Sequence, residues 1–453
     1  MTPDKSDAPT PTISRVCPDG TLIELLYDSI AATTSLAVRA PDGTVAIESQ
    51  VDLATGERLV PYTPGNNLLT SGCVLLPSNV GALLEKPELL AQIKSYIHRY
   101  VDLPELYEDI AAHYVLLTWV HDAFNELGYL RFKGMPGSGK TRALLAIGSI
   151  SYKPIFASGA STVSPIFHLL DAFGGTLILD EADLRFSDAT ADLTKILNNG
   201  TMKGLPVLRT MTNRHRELNP QAFKVFGPKI IAMRESFADD ALESRFLTHD
   251  TGGRTLRKDI SIHLPDAMKT EAQALRNSLL AWRFYARSAV APNPSRLIDD
   301  ITPRSNQTVL ALLSLIDDPR IRGSVADDLV ASEARVSTKR AASPEATMVR
   351  ILSSMFANAA TPYLTLADVT VLYNDVTAIR GELPLSAKAV GWMVRGKLGV
   401  ETTKTRGVSV IPQSERGKID SLAMRYGLPA DVPIMTPKLR CRGFLARSAK
   451  ISA

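Results

Sequence analysis

The stretch Gly134-Met135-Pro136-Gly137-Ser138-Gly139-Lys140-Thr141, set between an apolar run at 129–133 and a helix-forming run, restricts this chain more than any other feature. Glycines at this spacing let successive backbone N–H groups turn towards one point, and the start of a helix adds positive potential there. Lys140 then reaches the β and γ oxygens of a bound triphosphate, and Thr141 offers its hydroxyl to Mg²⁺. The expected nucleotide-binding set is therefore Gly134, Pro136, Gly137, Ser138, Gly139, Lys140 and Thr141. Such a loop works only between a strand and a helix, which predicts an α/β core built on a parallel sheet.

A second apolar run at 176–179 ends in Asp180-Glu181. A carboxylate emerging from the C-terminal end of a buried strand beside the loop can hold Mg²⁺ with Thr141, so Asp180 is the expected metal residue. Glu181 is placed to polarise an attacking water, which a hydrolase needs and a small-molecule kinase must exclude. The 40 positions from Lys140 to Asp180 leave room for one further strand, at 153–156, and a helix, at 164–172. The expectation is a P-loop ATPase of the additional-strand, catalytic-glutamate class, with ATP and Mg²⁺ as cofactors.

At 453 residues the chain is long enough for several domains, and its 45% apolar and 22% charged composition is that of a folded protein. Residues 1–72 alternate in short runs punctuated by Pro-Asp-Gly turns and read as a β-rich unit. The period then changes to helical, giving a collar at 73–126, the ATPase core at 127–260 and a helical lid at 261–335. The polar stretch 332–346 reads as a linker into a winged helix at 343–428, and a basic tail follows at 429–453. The tail carries Lys438, Arg440, Arg442, Arg447 and Lys450, a pattern that suits contact with a phosphate backbone.

Asp240-Ala241-Leu242-Glu243-Ser244-Arg245-Phe246 resembles the arginine-finger segment of AAA+ ATPases, including the MCM-like helicases. Taken with the loop and Asp180-Glu181, the block from Pro87 to Asp317 is similar to AAA+ or superfamily 3-like helicase ATPases of phages, plasmids and other mobile elements. The resemblance implies a homo-oligomeric ring, a hexamer, in which Arg245 completes the neighbouring copy's catalytic site. It implies that Arg304, opening an apolar helix, is the sensor 2 residue that contacts the γ-phosphate. It also implies a hairpin projecting into the pore, with Arg214 and Arg216 at its basic tip on single-stranded DNA, and duplex contacts at Lys388, Arg395 and Lys397 in the C-terminal winged helix. The chain departs from the pattern after 230–233, where Arg234-Glu235-Ser236 stands in place of a polar sensor 1 residue.

The expected function is an ATP-driven DNA helicase or translocase of a mobile replicon. The alternatives are an initiator or loader that uses ATP as an assembly switch, and a P-loop phosphotransferase. Cys17, Cys73 and Cys441 form no CxxC pair, and no apolar run approaches the ~18 residues needed to span a bilayer, so a cytoplasmic protein with no membrane partner is expected.

Overall fold

Five strands lie side by side, all parallel, in the spatial order Phe246–Asp250, Tyr129–Lys133, Lys229–Met233, Leu177–Asp180, Ile155–Ser158. The computed structural model from which this is read describes residues 8–159, 161–180, 188–212, 218–237, 239–253, 257–359 and 361–428. A parallel sheet is covered on both faces, which is why its strands read as near-continuous apolar runs. Phe132, Leu177, Ile230, Ile231 and Ala232 are all fully buried. Helices Lys140–Ser149 and Val163–Phe173 cover the sheet, and this arrangement with a GxxxxGKT loop makes the domain an α/β P-loop fold.

The strand expected between the two motifs in sequence is present, and the sheet orders the strands as sequence spacing could not. The strand that separates the loop strand from the Asp180 strand is Lys229–Met233, which follows both in sequence, whereas Ile155–Ser158 sits at the sheet's edge. Sequence spacing counts elements but does not order them in space, because a parallel crossover can return on either side of its partner.

Residues 10–61 form a four-stranded antiparallel sheet (Ser14–Val16, Leu22–Asp28, Thr33–Arg39, Val45–Glu48) and a three-stranded one (Thr10–Thr12, Arg58–Pro61, Val51–Asp52). Their Ile23, Leu25, Leu36 and Leu59 join one apolar core with Ile155, Leu177 and Leu179 of the parallel sheet. Cys73 accepts a backbone hydrogen bond from Phe156, and Val74 bridges Ile155, so the chain leaving this unit covers the exposed edge of the parallel sheet.

A buried charge network ties three parts of this body together. Glu24 accepts from Tyr152 Oη at 2.7 Å and from Arg283 Nε at 2.8 Å, and pairs with Lys153 Nζ at 3.0 Å. Arg283, on helix Ala267–Ala286, also donates to Asp122 at 2.9 Å and to the Trp119 carbonyl at 2.5 Å. Burial pushes Lys153 down to about 8, with Glu24 opposing it. Burial also acts to raise Asp122, but the adjoining Arg283 guanidinium outweighs it and holds that carboxyl well below the usual range. Breaking such a network strands a charge in the interior, which costs about 3–5 kcal/mol.

The chain divides into two compact units, 1–327 and 328–453. The stretch expected as a linker is helical: Pro319–Ala341 is one helix, and the next, Pro344–Ala357, begins after two residues. Between Ser332 and Ala342 there is no Gly or Pro, and Glu, Ala, Arg and Lys are good helix formers, so polarity alone misled. The second unit then runs strand Tyr363–Thr365, helix Leu366–Ala378, helix Ala387–Trp392 continued by a π turn at Met393–Lys397, strands Thr403–Thr405 and Val408–Pro412, and helix Arg416–Arg425. Its first strand pairs antiparallel with the third, and the third with the second. Ser343, Thr365 and Ser386 each accept from the backbone N–H three residues on, which starts three of its helices cleanly. The two-residue turn Arg406-Gly407, both at positive φ, closes the hairpin. Val369, Val390, Val394, Val400 and Ile411 form its core.

Among the described residues no helix is long and apolar enough to cross a membrane.

Candidate functional site

The phosphate-type loop leaves its strand where Gly134 N–H donates to the Met233 carbonyl at 3.1 Å. A Cβ at Gly134 would stand 2.4 Å from Thr251 Oγ1, so the chain cannot carry a side chain there. Gly137 and Gly139 take φ of 80° and 90°, the left-handed region that turns the loop's N–H groups inward, and helix Lys140–Ser149 starts directly after them. Thr251 braces the loop from the fifth strand: its hydroxyl meets Ser138 Oγ at 2.6 Å and donates to the Lys133 carbonyl at 3.1 Å.

Lys140 Nζ donates to the carbonyls of Gly134 at 2.7 Å and Met135 at 2.8 Å, so the ammonium lies across the mouth of the loop. Thr141 Oγ1 donates to Asp180 Oδ2 at 2.7 Å. These two side chains come from opposite sides of the Lys229–Met233 strand and meet because the helix after the loop crosses over it. A hydroxyl and a carboxylate in contact at the end of a helix N-terminus, with a lysine beside them, is a donor set that suits a hard cation shared with phosphate oxygens. The residues present thus fit Mg²⁺ and a triphosphate. Pro136 is an exposed part of the loop, and Glu181 lies outside the described residues.

Arg245 is at the other end of the sheet. Its carbonyl accepts from Tyr129 N–H at 2.9 Å, at the start of the loop strand, so the five residues of that strand, about 13 Å at ~3.3 Å per step, separate it from its own loop. Its guanidinium donates to the Asn198 carbonyl and, at 2.6 Å, to Thr201 Oγ1. Burial, then the nearby charge of Arg304, lowers its pKa. Arg304 is exposed in the first turn of helix Pro303–Leu315, and Thr308, one turn on, donates to the Ser244 carbonyl at 3.2 Å. Arg304 is therefore grouped with Arg245 and not with Lys140. Short backbone contacts fix this: Gly128, just before the loop strand, packs directly on Thr308.

Two residues that sequence reasoning passed over organise this end. Arg131, buried in the middle of the loop strand, forms a bidentate pair with Glu243 at 2.6 and 2.7 Å, and the Glu243 carboxylate also accepts from Phe237 N–H. A charged residue inside the apolar run 129–133 was the signal, since such a residue must find a partner. Lys229, also buried, donates through Nζ to the carbonyls of Val225 at 3.0 Å and Gly227 at 2.9 Å, and burial pushes it down to about 7.

Strands Val207–Thr212 and Leu218–Phe223 pair as an antiparallel hairpin with Val207 opposite Phe223 and Thr212 opposite Leu218. Pro220 within the second strand is tolerated because a two-stranded ribbon has outward N–H positions. At its base, Arg209 pairs with Asp192 at 2.6 Å and stacks 4.2 Å from the Phe167 ring. Arg214 and Arg216 lie outside the described residues, as does the tail with Lys438, Arg440, Arg442, Arg447 and Lys450. In the second unit Lys388, Arg395 and Lys397 are exposed, and Arg395 Nη1 donates to Thr402 Oγ1 at 3.2 Å.

No family model matches the sequence, and no curated protein does. Among solved structures, the chain is similar to the JCV helicase (19% identity, 44% of this chain, 54% of that one, TM-score 0.27). It is similar to an MCM homolog from Methanopyrus kandleri (13% identity, 66% of this chain, 68% of that one, TM-score 0.35). A third is Cch of SCCmec type IV, an active helicase (11% identity, 91% of this chain, 95% of that one, TM-score 0.36). The chain spans about half the length of the JCV structure it matches.

Proposed function

We propose that this protein is a Mg²⁺-ATP-hydrolysing, ring-forming DNA helicase or translocase that serves replication of a mobile element. The observation that carries the hydrolytic part is the 2.7 Å contact between Thr141 Oγ1 and Asp180 Oδ2 beside a left-handed glycine loop. The loop N–H groups and the N-terminus of helix Lys140–Ser149 bind phosphate oxygens, and Lys140 exchanges its own loop carbonyls for them. Magnesium, when bound by Thr141 and Asp180, supplies neutralisation of charge on the phosphates. Glu181 takes the role of orienting and activating the water. Arg245 stabilises charge on the transferred group in the site of an adjacent copy, since its own loop is a strand's length away. Arg304, beside it, serves the same neighbouring site.

In this reading the hairpin Val207–Phe223 lines the pore, with Arg214 and Arg216 on the single strand, and residues 261–335 act as the lid. The order helix, strand, two helices, two strands in the second unit supports a winged helix at 343–428 that holds duplex DNA through Lys388, Arg395 and Lys397.

The test is steady-state ATP hydrolysis with and without single-stranded DNA, for wild type, Lys140→Ala and Glu181→Gln. DNA-stimulated turnover lost in both variants is expected. Turnover indifferent to DNA would instead assign the core to an assembly switch, and turnover surviving Glu181→Gln would revive a phosphotransferase.

A further inference from the structure

In the second unit one large aromatic side chain lies outside the apolar core and mostly in solvent. Helix Ala387–Trp392 buries Val390 and its π turn buries Val394, and Leu398 follows in the unit's core. Trp392 points away from them and is 59% exposed. An indole carries one of the largest apolar surfaces of any side chain, so leaving it in water forgoes a substantial burial term. Its neighbours are cationic. From Ser386 to Ile411 the chain carries Lys388, Arg395, Lys397, Lys404 and Arg406 against the single acid Glu401.

The backbone is shaped around this ring. Leu398 N–H donates to the Met393 carbonyl at 3.0 Å, five residues back, and Val400 N–H donates to the Val394 carbonyl at 3.0 Å. This widened turn brings Lys397 beside Trp392, with Nζ 5.7 Å from the ring centroid, where an ordinary α-turn would carry position i+5 well around the helix. A Cβ at Gly396 would stand 3.3 Å from Trp392 Nε1, so the glycine leaves the space along which the indole lies. An exposed flat ring with Lys397 at its face and Arg395 one turn on in the same helix, held to Thr402, matches an unpaired base with its flanking phosphates. A base still stacked inside a duplex has no free face to offer it.

We infer that Trp392 is a stacking platform for an unpaired base, and that the second unit binds the junction between single-stranded and duplex DNA in preference to plain duplex. This rests on the reading that the second unit binds DNA. The cations hold the phosphates on either side, and the ring selects the place where pairing ends.

The chain provides its own probe. Its three tryptophans are Trp119, Trp282 and Trp392, and the first two are 0% and 3% exposed. Tryptophan fluorescence and affinity are measured on the whole 453-residue chain with a blunt duplex and with the same duplex carrying an unpaired thymine tail. The expected result is quenching by the tailed duplex only, absent from Trp392→Phe, which loses the signal while keeping most of the affinity. Trp392→Ala should lose roughly ten-fold in affinity for the tailed duplex, as removal of one stacked base does elsewhere, with blunt-duplex affinity unchanged. If Trp392→Ala binds both as wild type while Lys388→Ala/Arg395→Ala/Lys397→Ala weakens both, the unit binds DNA without stacking and the inference fails. If the triple variant also binds both as wild type, the underlying reading of the second unit fails with it. Quenching that follows protein concentration without DNA would assign the ring to contact between copies and overturn the inference.

Discussion

The two ends of the parallel sheet hold their cations differently. At the C-terminal end Lys140 lies over its own loop beside the Thr141–Asp180 pair, and Lys133 pairs with Asp250 at 3.1 Å. At the N-terminal end Arg245 and Lys229 donate to carbonyl and hydroxyl oxygens, and Arg304 adds a second positive charge beside Arg245. The first end has the parts to receive a phosphate chain within one subunit. Lys229 is fully buried, so on the proposed reading the positive charge that this end offers to another copy is that of Arg245 and Arg304. Cations destined for a partner need anchoring that does not neutralise them, and backbone carbonyls provide it.

The comparison is tested most severely by Arg245→Ala. Turnover should fall by about 10³–10⁵, as loss of an arginine finger does, with nucleotide affinity retained. Mixing this variant with Lys140→Ala should restore a fraction of the rate, read by ATP hydrolysis. Absence of restoration would mean that the two ends do not meet across copies.

Glu243→Ala probes what anchors that end. It leaves Arg131 charged in the interior, so a loss of about 3–5 kcal/mol in unfolding free energy is expected by denaturant titration. If stability is unchanged, the Arg131–Glu243 pair is not what fixes the segment carrying Arg245.

A pH series sharpens the contrast through Lys229. Burial lowers its pKa from the usual 10.5 to about 7, so between these values the unfolded chain binds more protons than the folded one. Stability therefore rises with pH across that window; the penalty is complete below about 7 and gone above about 10.5. From pH 7 to 9 the gain should be about 2 kcal/mol, and it should vanish in Lys229→Met. An equal pH slope in both proteins would place the proton elsewhere.

The smallest effect belongs to the C-terminal end. Thr251→Val keeps the shape of the brace but removes its hydrogen bonds to Ser138 and Lys133, which should cost about 1 kcal/mol and weaken ATP binding a few-fold. An unchanged nucleotide affinity would show that the loop holds its form unaided.

What was legible in the sequence follows from what is local. The loop glycines and the apolar run ending in Asp180 read directly, because each is dictated by its own backbone and burial. The contact between Thr141 and Asp180 was expected from chemistry alone. Spatial order was not legible: nothing in the run 229–233 says that it lies between the other two strands, and nothing in Pro303-Arg304 says that its helix packs at the end away from the loop. Both are decided by long-range packing, such as Gly128 against Thr308. The helix through 332–341 is hidden by its polarity, which by composition reads as a linker although its residues favour helix. Thr251 carries no local signal, since a threonine after a strand has many ordinary uses.

The placement of Lys229–Met233 has a mechanical consequence. The hairpin's second strand passes into it through Lys224 to Pro228 alone, and Lys229 pins two carbonyls of that short stem. The same strand is flanked directly by the strands that carry the loop and Asp180. On the proposed reading, spreading of those two strands would be passed to the hairpin through this short stem. Hairpin strands of six residues reach about 20 Å, so a tilt of about 10° sweeps the far end through about 3.5 Å. That stroke is close to the roughly 3.4 Å rise of one nucleotide along a strand.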